Sequence, residues 1–166
     1  MGNEEEKNLV KEPYSEYGSY TYADYLTWEI DHMVELIKGK VFQQATAAPR
    51  RIHQEISGRL FFKLYLHLEK KNCKVFSAPF DVRLPVKSKK HEDITTVVQP
   101  DICVVCDPEK LDDLGCVGAP DLIMEILSLL PTIKKSSRIS MRSMRKAVSG
   151  NIGLSTLMKK LCWFMP

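Results

Sequence analysis

Apolar and polar positions follow three different rhythms along the chain. From Arg50 to Lys71 (RRIHQEISGRLFFKLYLHLEKK) Ile52, Ile56, Leu60, Leu64 and Leu68 recur every four residues, with Phe61 filling the stripe. That period marks one face of a helix and predicts a long helix held against a sheet. VELIKGKVF consists of two short alternating runs around Lys38-Gly39, which predicts a hairpin. CKVFSAPFDVRL, TTVVQPDICVV and PDLIMEILS predict strands, and the polar stretches between them, KSKKHEDI and CDPEKLDDLGCVGA, read as surface loops. Upstream, TYADYLTWE opens with Thr21 and has Asp24 three residues on, a variant of the capping box, so Tyr22, Tyr25, Leu26 and Trp28 make the apolar face of a short helix. Residues 1–20 are polar and acidic without a sustained period and predict a disordered or loosely docked leader. The order of helix, hairpin, long helix and successive strands predicts an α/β layered domain over residues 21–128, a mixed α+β sheet covered on one face by the long helix.

Composition narrows this picture. A chain of 166 residues, 44% of them apolar, supports one domain with a proper core. No apolar run reaches the roughly 18 residues needed to span a bilayer, and the acidic N-terminus is the reverse of a signal peptide, so a cytoplasmic protein without a membrane partner is expected. The Met-Gly start carries Glu6 where myristoylation wants Ser or Thr. Five scattered cysteines, Cys73, Cys103, Cys106, Cys116 and Cys162, suggest free thiols in a reducing compartment. Cys103 and Cys106 spell CxxC, but residues three apart on a strand point to opposite faces, which favours buried small side chains over a zinc site. The net charge of +3 conceals an asymmetry: residues 129–166 hold 8 of the 24 Lys and Arg and none of the 21 Asp and Glu, leaving residues 1–128 at −5.

Two carboxylates stand where strands should be apolar. Asp101 interrupts an apolar run straight after Pro100, a residue that marks an edge or a bend within a strand, and Glu125 lies between Met124 and Ile126. A lone buried carboxylate is costly unless a cation or a hydrogen-bond donor compensates it. Two that converge repel each other, whereas Mg²⁺ held through one or two carboxylates and waters is what phosphoryl-transfer sites use. Exposed edges, ion pairs and turn caps also place carboxylates in strands, and periodicity alone leaves both readings open.

The ordered blocks YTYADYLTW, VELIKGKVF, RRIHQEISGRL, VFSAPFDVRLP, VVQPDICVVCD and KLDDLGCVGAPDLIMEILS resemble the Uma-type restriction endonuclease family of the PD-(D/E)xK nuclease superfamily, over about residues 20–128. The resemblance implies a restriction-endonuclease-like core in which Asp101 and Glu125 hold a divalent metal, Mg²⁺ or another, that activates a water to cut a phosphodiester. It implies DNA as the partner, a third acid at Glu35, and family positions at His53 and Asp81; pairing of two copies is a family habit that no residue of this chain displays. Structural roles stand beside these: His53 pairing with the sheet, Asp81 anchoring a turn near Pro79, Glu35 on an exposed rim. Asp121, in the second Pro-Asp pair, reads as a strand-entry residue rather than a ligand.

The chain departs from the family after Ser128. The lysine of such sites ordinarily follows two residues after the Glu, where this chain has Leu127; in this family it comes instead from the helix after the EILS strand. Here the continuation is LLPTIKKSSRISMRSMRKAVSGNIGLSTLMKKLCWFMP. Codons built from the third base of one residue and the first two of the next permit YEVYEEGGVREYW from Ser140 through Gly153, then VVDPDE. Met158 into Lys159 forces Glu, and Trp163 into Phe164 forces Val. Residues 129–166 therefore read as a frameshifted tail outside the native fold, which leaves the core incomplete at its C-terminus and the endonuclease inactive or barely stable. Lys134 and Lys135 lie close after the Glu125 strand but with unspecified geometry. The alternative function is a non-catalytic nucleic-acid binder using Arg50-Arg51, Lys87 to Lys90 and the basic tail. A membrane or partner helix in the tail is interrupted by Ser140, Ser143, Ser149, Gly150 and Gly153.

Overall fold

A computed structural model describes residues 18–30, 33–43, 50–127 and 163–164. The short helix α1 (Tyr22–Tyr25) starts at the predicted box, with the Asp24 carboxylate accepting from the Thr21 N–H at 2.8 Å and Thr21 Oγ1 accepting from the Asp24 N–H. The hairpin also forms, as β1 (Val34–Ile37) and β2 (Lys40–Gln43). Lys38 and Gly39 turn it with φ of 53° and 77°, the left-handed pair whose twist matches that of the strands. The long helix is α2 (Arg51–Leu68).

Each predicted strand is broken in two. CKVFSAPFDVRL becomes β3 (Lys74–Ser77) and β4 (Val82–Arg83), separated by the cis Ala78–Pro79 peptide, and the two lie in different sheets. TTVVQPDICVV becomes β5 (Val97–Val98) and β6 (Ile102–Val105), parted at Pro100, which has no N–H to give to a ladder. The stretch CDPEKLDDLGCVGA is not merely a surface loop: it folds into β7 (Leu111–Asp112) and β8 (Gly115–Val117), with Cys116 fully buried. Gly115 has φ +124°, and a side chain there would run into the backbone oxygen of Asp81, which accepts from the Cys116 N–H at 2.8 Å. PDLIMEILS becomes β9 (Leu122–Met124) and β10 (Ile126–Leu127), parted at Glu125.

Six strands form one sheet in the order β2-β1-β5-β4-β8-β7, antiparallel throughout except for the parallel β4–β8 pair. The second sheet, β3-β6-β9, is antiparallel. The two sheets share a core: Ile37, Val82, Leu84, Val98 and Cys116 from the first pack with Cys103 and Val105 from β6, flanked by Phe42, Phe76 and Phe80. Because side chains alternate along a strand, Leu36 and Val97 emerge on the other face of the first sheet, where they pack with Tyr22 and Ile94 under α1. Tyr20 joins this second cluster through an N–H bond to the Gly39 oxygen at 2.8 Å and an edge-on contact with Trp28. Arg83 is fully buried on β4, its guanidinium 5.2 Å from the Tyr22 ring centre and paired with Asp112. Burial pushes the Asp112 carboxyl up, but the Arg83 hydrogen bond, the Leu114 N–H and the Arg83 charge together outweigh it and hold the group below its ordinary value.

The long helix packs against β3 and β10 as expected of a sheet-covering helix, yet none of its 18 residues is buried. Ile56, Leu60, Leu64 and Leu68 are half-covered, whereas Phe62, Tyr65 and Leu66 face outward and are exposed. The cysteine expectation needs correction. Cys73 and Cys106 form a disulfide, because the register Lys74↔Val105 makes them the next opposed pair at the end of β3 and β6. Cys103 and Cys116 are buried free thiols whose burial pushes them up to about 12 and about 11. Within CxxC, Cys103 enters the shared core and Cys106 turns to Cys73, as strand alternation requires. Cys162, residues 1–17 of the leader and most of the basic tail lie outside the described residues. Of the tail, Trp163–Phe164 (β11) is described, pairing in parallel with β10. No described helix is long and apolar enough to cross a membrane.

Candidate active site

The antiparallel ladder between β6 and β9 ends with Ile102 opposite Met124, which makes Asp101 and Glu125 the next opposed residues. The strand after Glu125 is tied to Asp101 directly: the Ile126 N–H donates to Asp101 Oδ2 at 2.6 Å. The breaks at Pro100 and Glu125 are therefore what bring both acids to one edge. Burial, then the charges of Asp101 and Glu35, hold the Glu125 carboxyl well above the usual carboxylate range, while the Asp101 N–H opposes the shift only in part.

Glu35 comes from the first sheet. It lies on β1, only 3% exposed, and its Oε1 accepts from the backbone N–H of Gln99 at 3.3 Å. The exposed-rim alternative for Glu35 is thus not what the fold provides. His53, in the first turn of α2, reaches across with Nε2 3.3 Å from Asp101 Oδ1, and its buried Nδ1 has no hydrogen-bond partner among the described residues. Four of the five candidate residues, Asp101, Glu125, Glu35 and His53, thereby meet in one region from four separate elements.

Asp81 stands apart. Its carboxylate accepts from the Tyr22 hydroxyl at 2.9 Å and from the Gln99 side chain at 2.7 Å, and its backbone oxygen anchors β8, so Gln99 links it to Glu35. Asp121 accepts from the Cys106 N–H at 2.7 Å and gives its own N–H to the Val104 oxygen, the strand-entry role expected of it. Sequence reading missed Gln99, Tyr22 and Tyr25 as parts of this constellation; the one local sign was a polar residue set between an apolar strand and Pro100-Asp101.

The donor set suits a hard divalent cation. Among the described residues no Lys or Arg pairs with Asp101 or Glu125, and Glu125 is half-buried near two other acids, a surplus of negative charge that a cation would relieve. No group of three or more His, Cys, Asp or Glu closes into a metal cage among the described residues. Mg²⁺ does not need one, since it keeps several waters and takes one or two carboxylates. Asp101 and Glu125 are the carboxylates that could hold such a cation, with the Glu35 charge acting on Glu125.

Residues 22–130 match the model of a family described as "Uma2: Putative restriction endonuclease". No curated protein matches the chain. Among solved structures, the chain is similar to "a putative nuclease belonging to DUF820" from Anabaena variabilis ATCC 29413, at 19% identity over 76% of this chain and 68% of that one, with a TM-score of 0.54. At that identity the likeness is one of fold.

Proposed function

The chain belongs to the Uma2 family of restriction-endonuclease-like proteins, and from that premise we propose that it is a divalent-cation-dependent DNA endonuclease by descent, hydrolysing phosphodiesters at the edge where Asp101 and Glu125 meet. The observation that carries the reading is the opposed pair itself: two carboxylates from breaks in neighbouring strands, one of them half-buried and raised in pKa by desolvation and then by the charges of the other acids. A bound Mg²⁺ would supply a water of lowered pKa and neutralise phosphate charge. Asp101 and Glu125 would hold the cation, Glu35 would add negative charge behind it, and His53 would restrain the Asp101 carboxylate from the helix side. The lysine that such sites use to orient the attacking oxygen has no counterpart at Leu127. Cleavage by this chain is therefore expected to be far below that of a chain with the family's own C-terminal segment.

The test is Mg²⁺-dependent cleavage of duplex DNA by the protein with its reading frame restored after Ser128, beside the present chain. Asp101→Ala and Glu125→Ala should each remove activity by 100-fold or more, on the order of the loss of an electrostatic group from such a site. Cleavage that survives both substitutions, or that persists in EDTA, refutes the assignment. DNA binding that is salt-dependent but indifferent to metal would instead support a non-catalytic binder.

A further inference from the structure

One residue ties Glu35, Asp81 and Tyr25 together without holding any of the roles above. The backbone N–H of Gln99 donates to Glu35 at 3.3 Å, and its side-chain nitrogen donates to Asp81 Oδ1 at 2.7 Å and to the Tyr25 hydroxyl at 3.2 Å. A carboxylate can only accept, so Asp81 fixes which end of the amide is nitrogen. Tyr22 locks Asp81 in turn, and the two tyrosine rings stack 5.5 Å apart. Burial, followed by the charge of Asp81, raises both hydroxyls above their ordinary range, so this lattice keeps one polarity at any working pH.

The opposite end of the amide is revealing. Gln99 Oε1 is buried with no hydrogen-bond partner among the described residues, a cost that a residue chosen for stability alone would avoid. Downstream, Pro100 fixes its own φ and restricts the backbone of the residue before it. The main chain of Gln99, and with it the N–H that meets Glu35, is therefore restricted from both sides.

We propose that Gln99 is a positioning residue of the acid site: its clamped amide fixes its own main chain so that the N–H holds Glu35 near the Asp101–Glu125 pair. This rests on reading that pair as a cation site. Gln99 then acts on the cation only through Glu35, which gives its loss a signature that general destabilisation lacks.

The experiment titrates Mn²⁺ alone, without DNA, into the full chain by calorimetry, with thermal unfolding in EDTA as the control for folding. Gln99→Met keeps the side chain's length and removes the amide, and Glu35→Gln removes the charge. Each should weaken Mn²⁺ by about 10-fold, the usual scale for groups that orient ligands, and the double variant should bind no more weakly than Glu35→Gln alone. Asp81→Leu removes the acceptor of the amide, and it should show the same non-additive loss should Gln99→Met not fold. Wild-type affinity in Gln99→Met and Asp81→Leu, or losses that multiply with that of Glu35→Gln, overturns the proposal while leaving the cation site standing when Asp101→Ala still abolishes binding. Absence of Mn²⁺ binding by the wild-type chain, or binding that survives Asp101→Ala, overturns the cation reading and this proposal together.

Discussion

Glu125 is a residue whose burial opposes folding of the bare protein. Its carboxyl is pushed up by desolvation first and by Asp101 and Glu35 next, so the folded chain binds a proton there more tightly than the unfolded one. A folded pKa raised above the unfolded value contributes stability that is fully present below the unfolded pKa and is lost as pH rises through the folded one. Removing the charge should therefore help where the charge hurts. Glu125→Gln, measured by thermal unfolding in EDTA, is expected to raise Tm by on the order of a few degrees at pH 8, with the gain shrinking toward nothing at pH 4. Saturating Mg²⁺ should stabilise the wild type more than this variant, since only the wild type offers the charge. A Tm gain that is independent of pH would mean that packing, not ionisation, distinguishes the two side chains. The same trade explains why the pair was visible in sequence: residues kept for chemistry break the apolar pattern that stability prefers.

The elements that hold this edge are tied by two cross-links of different kinds. Arg83 on β4 is buried, and its partner Asp112 on β7 is half-exposed, so the pair joins the middle of the large sheet to its rim. Asp112→Ala leaves an unpaired guanidinium and should cost about 2 kcal/mol in urea unfolding, whereas adding Arg83→Met to it should recover part of the loss. Full additivity of the two substitutions would show that the pair is not coupled. The Cys73–Cys106 disulfide closes the β3–β6 pair across 33 residues; reduction should lower stability by roughly 4 kcal/mol on loop entropy, and a Cys73→Ser/Cys106→Ser double variant should make Tm indifferent to reductant. These ties also mark the limit of what the sequence discloses. The Thr21–Asp24 box and the Lys38-Gly39 hairpin were legible because each is settled within a few residues. Asp101 and Glu125 were legible as anomalies, and the family blocks supplied Glu35 and His53. The assignment of β3 and β4 to different sheets, the β7–β8 hairpin and the disulfide were not legible, because each is decided by partners tens of residues away. Gln99 escaped for the same reason, its three side-chain and main-chain partners lying 18, 64 and 74 residues off.

At the scale of the whole molecule, charge and packing raise one question about the segment after Ser128. Residues 129–166 carry no acid at all, while the 128 before them carry all 21, a contrast that a single domain's surface does not ordinarily show. The shifted codons of that segment permit an acidic helix and a strand, two of the elements a restriction-endonuclease-like core uses to complete its sheet and supply its lysine. The described core has a place for such a strand: β10 pairs in parallel with the two residues of β11. It also has a long helix with no buried residue, which is what a domain missing part of its packing would show. We therefore propose that the native protein is read in the other frame beyond Ser128. Sequencing the gene across that codon is the direct check, and restoring the frame is the physical one. The restored chain should unfold at a Tm higher by about 6 °C, the equivalent of roughly 2 kcal/mol for a domain of this size, and should gain Mg²⁺-dependent cleavage. Equal stability of the two chains, with no gain of cleavage, would leave the basic tail as the authentic end of the domain and would direct attention to nucleic-acid binding by its lysines and arginines instead.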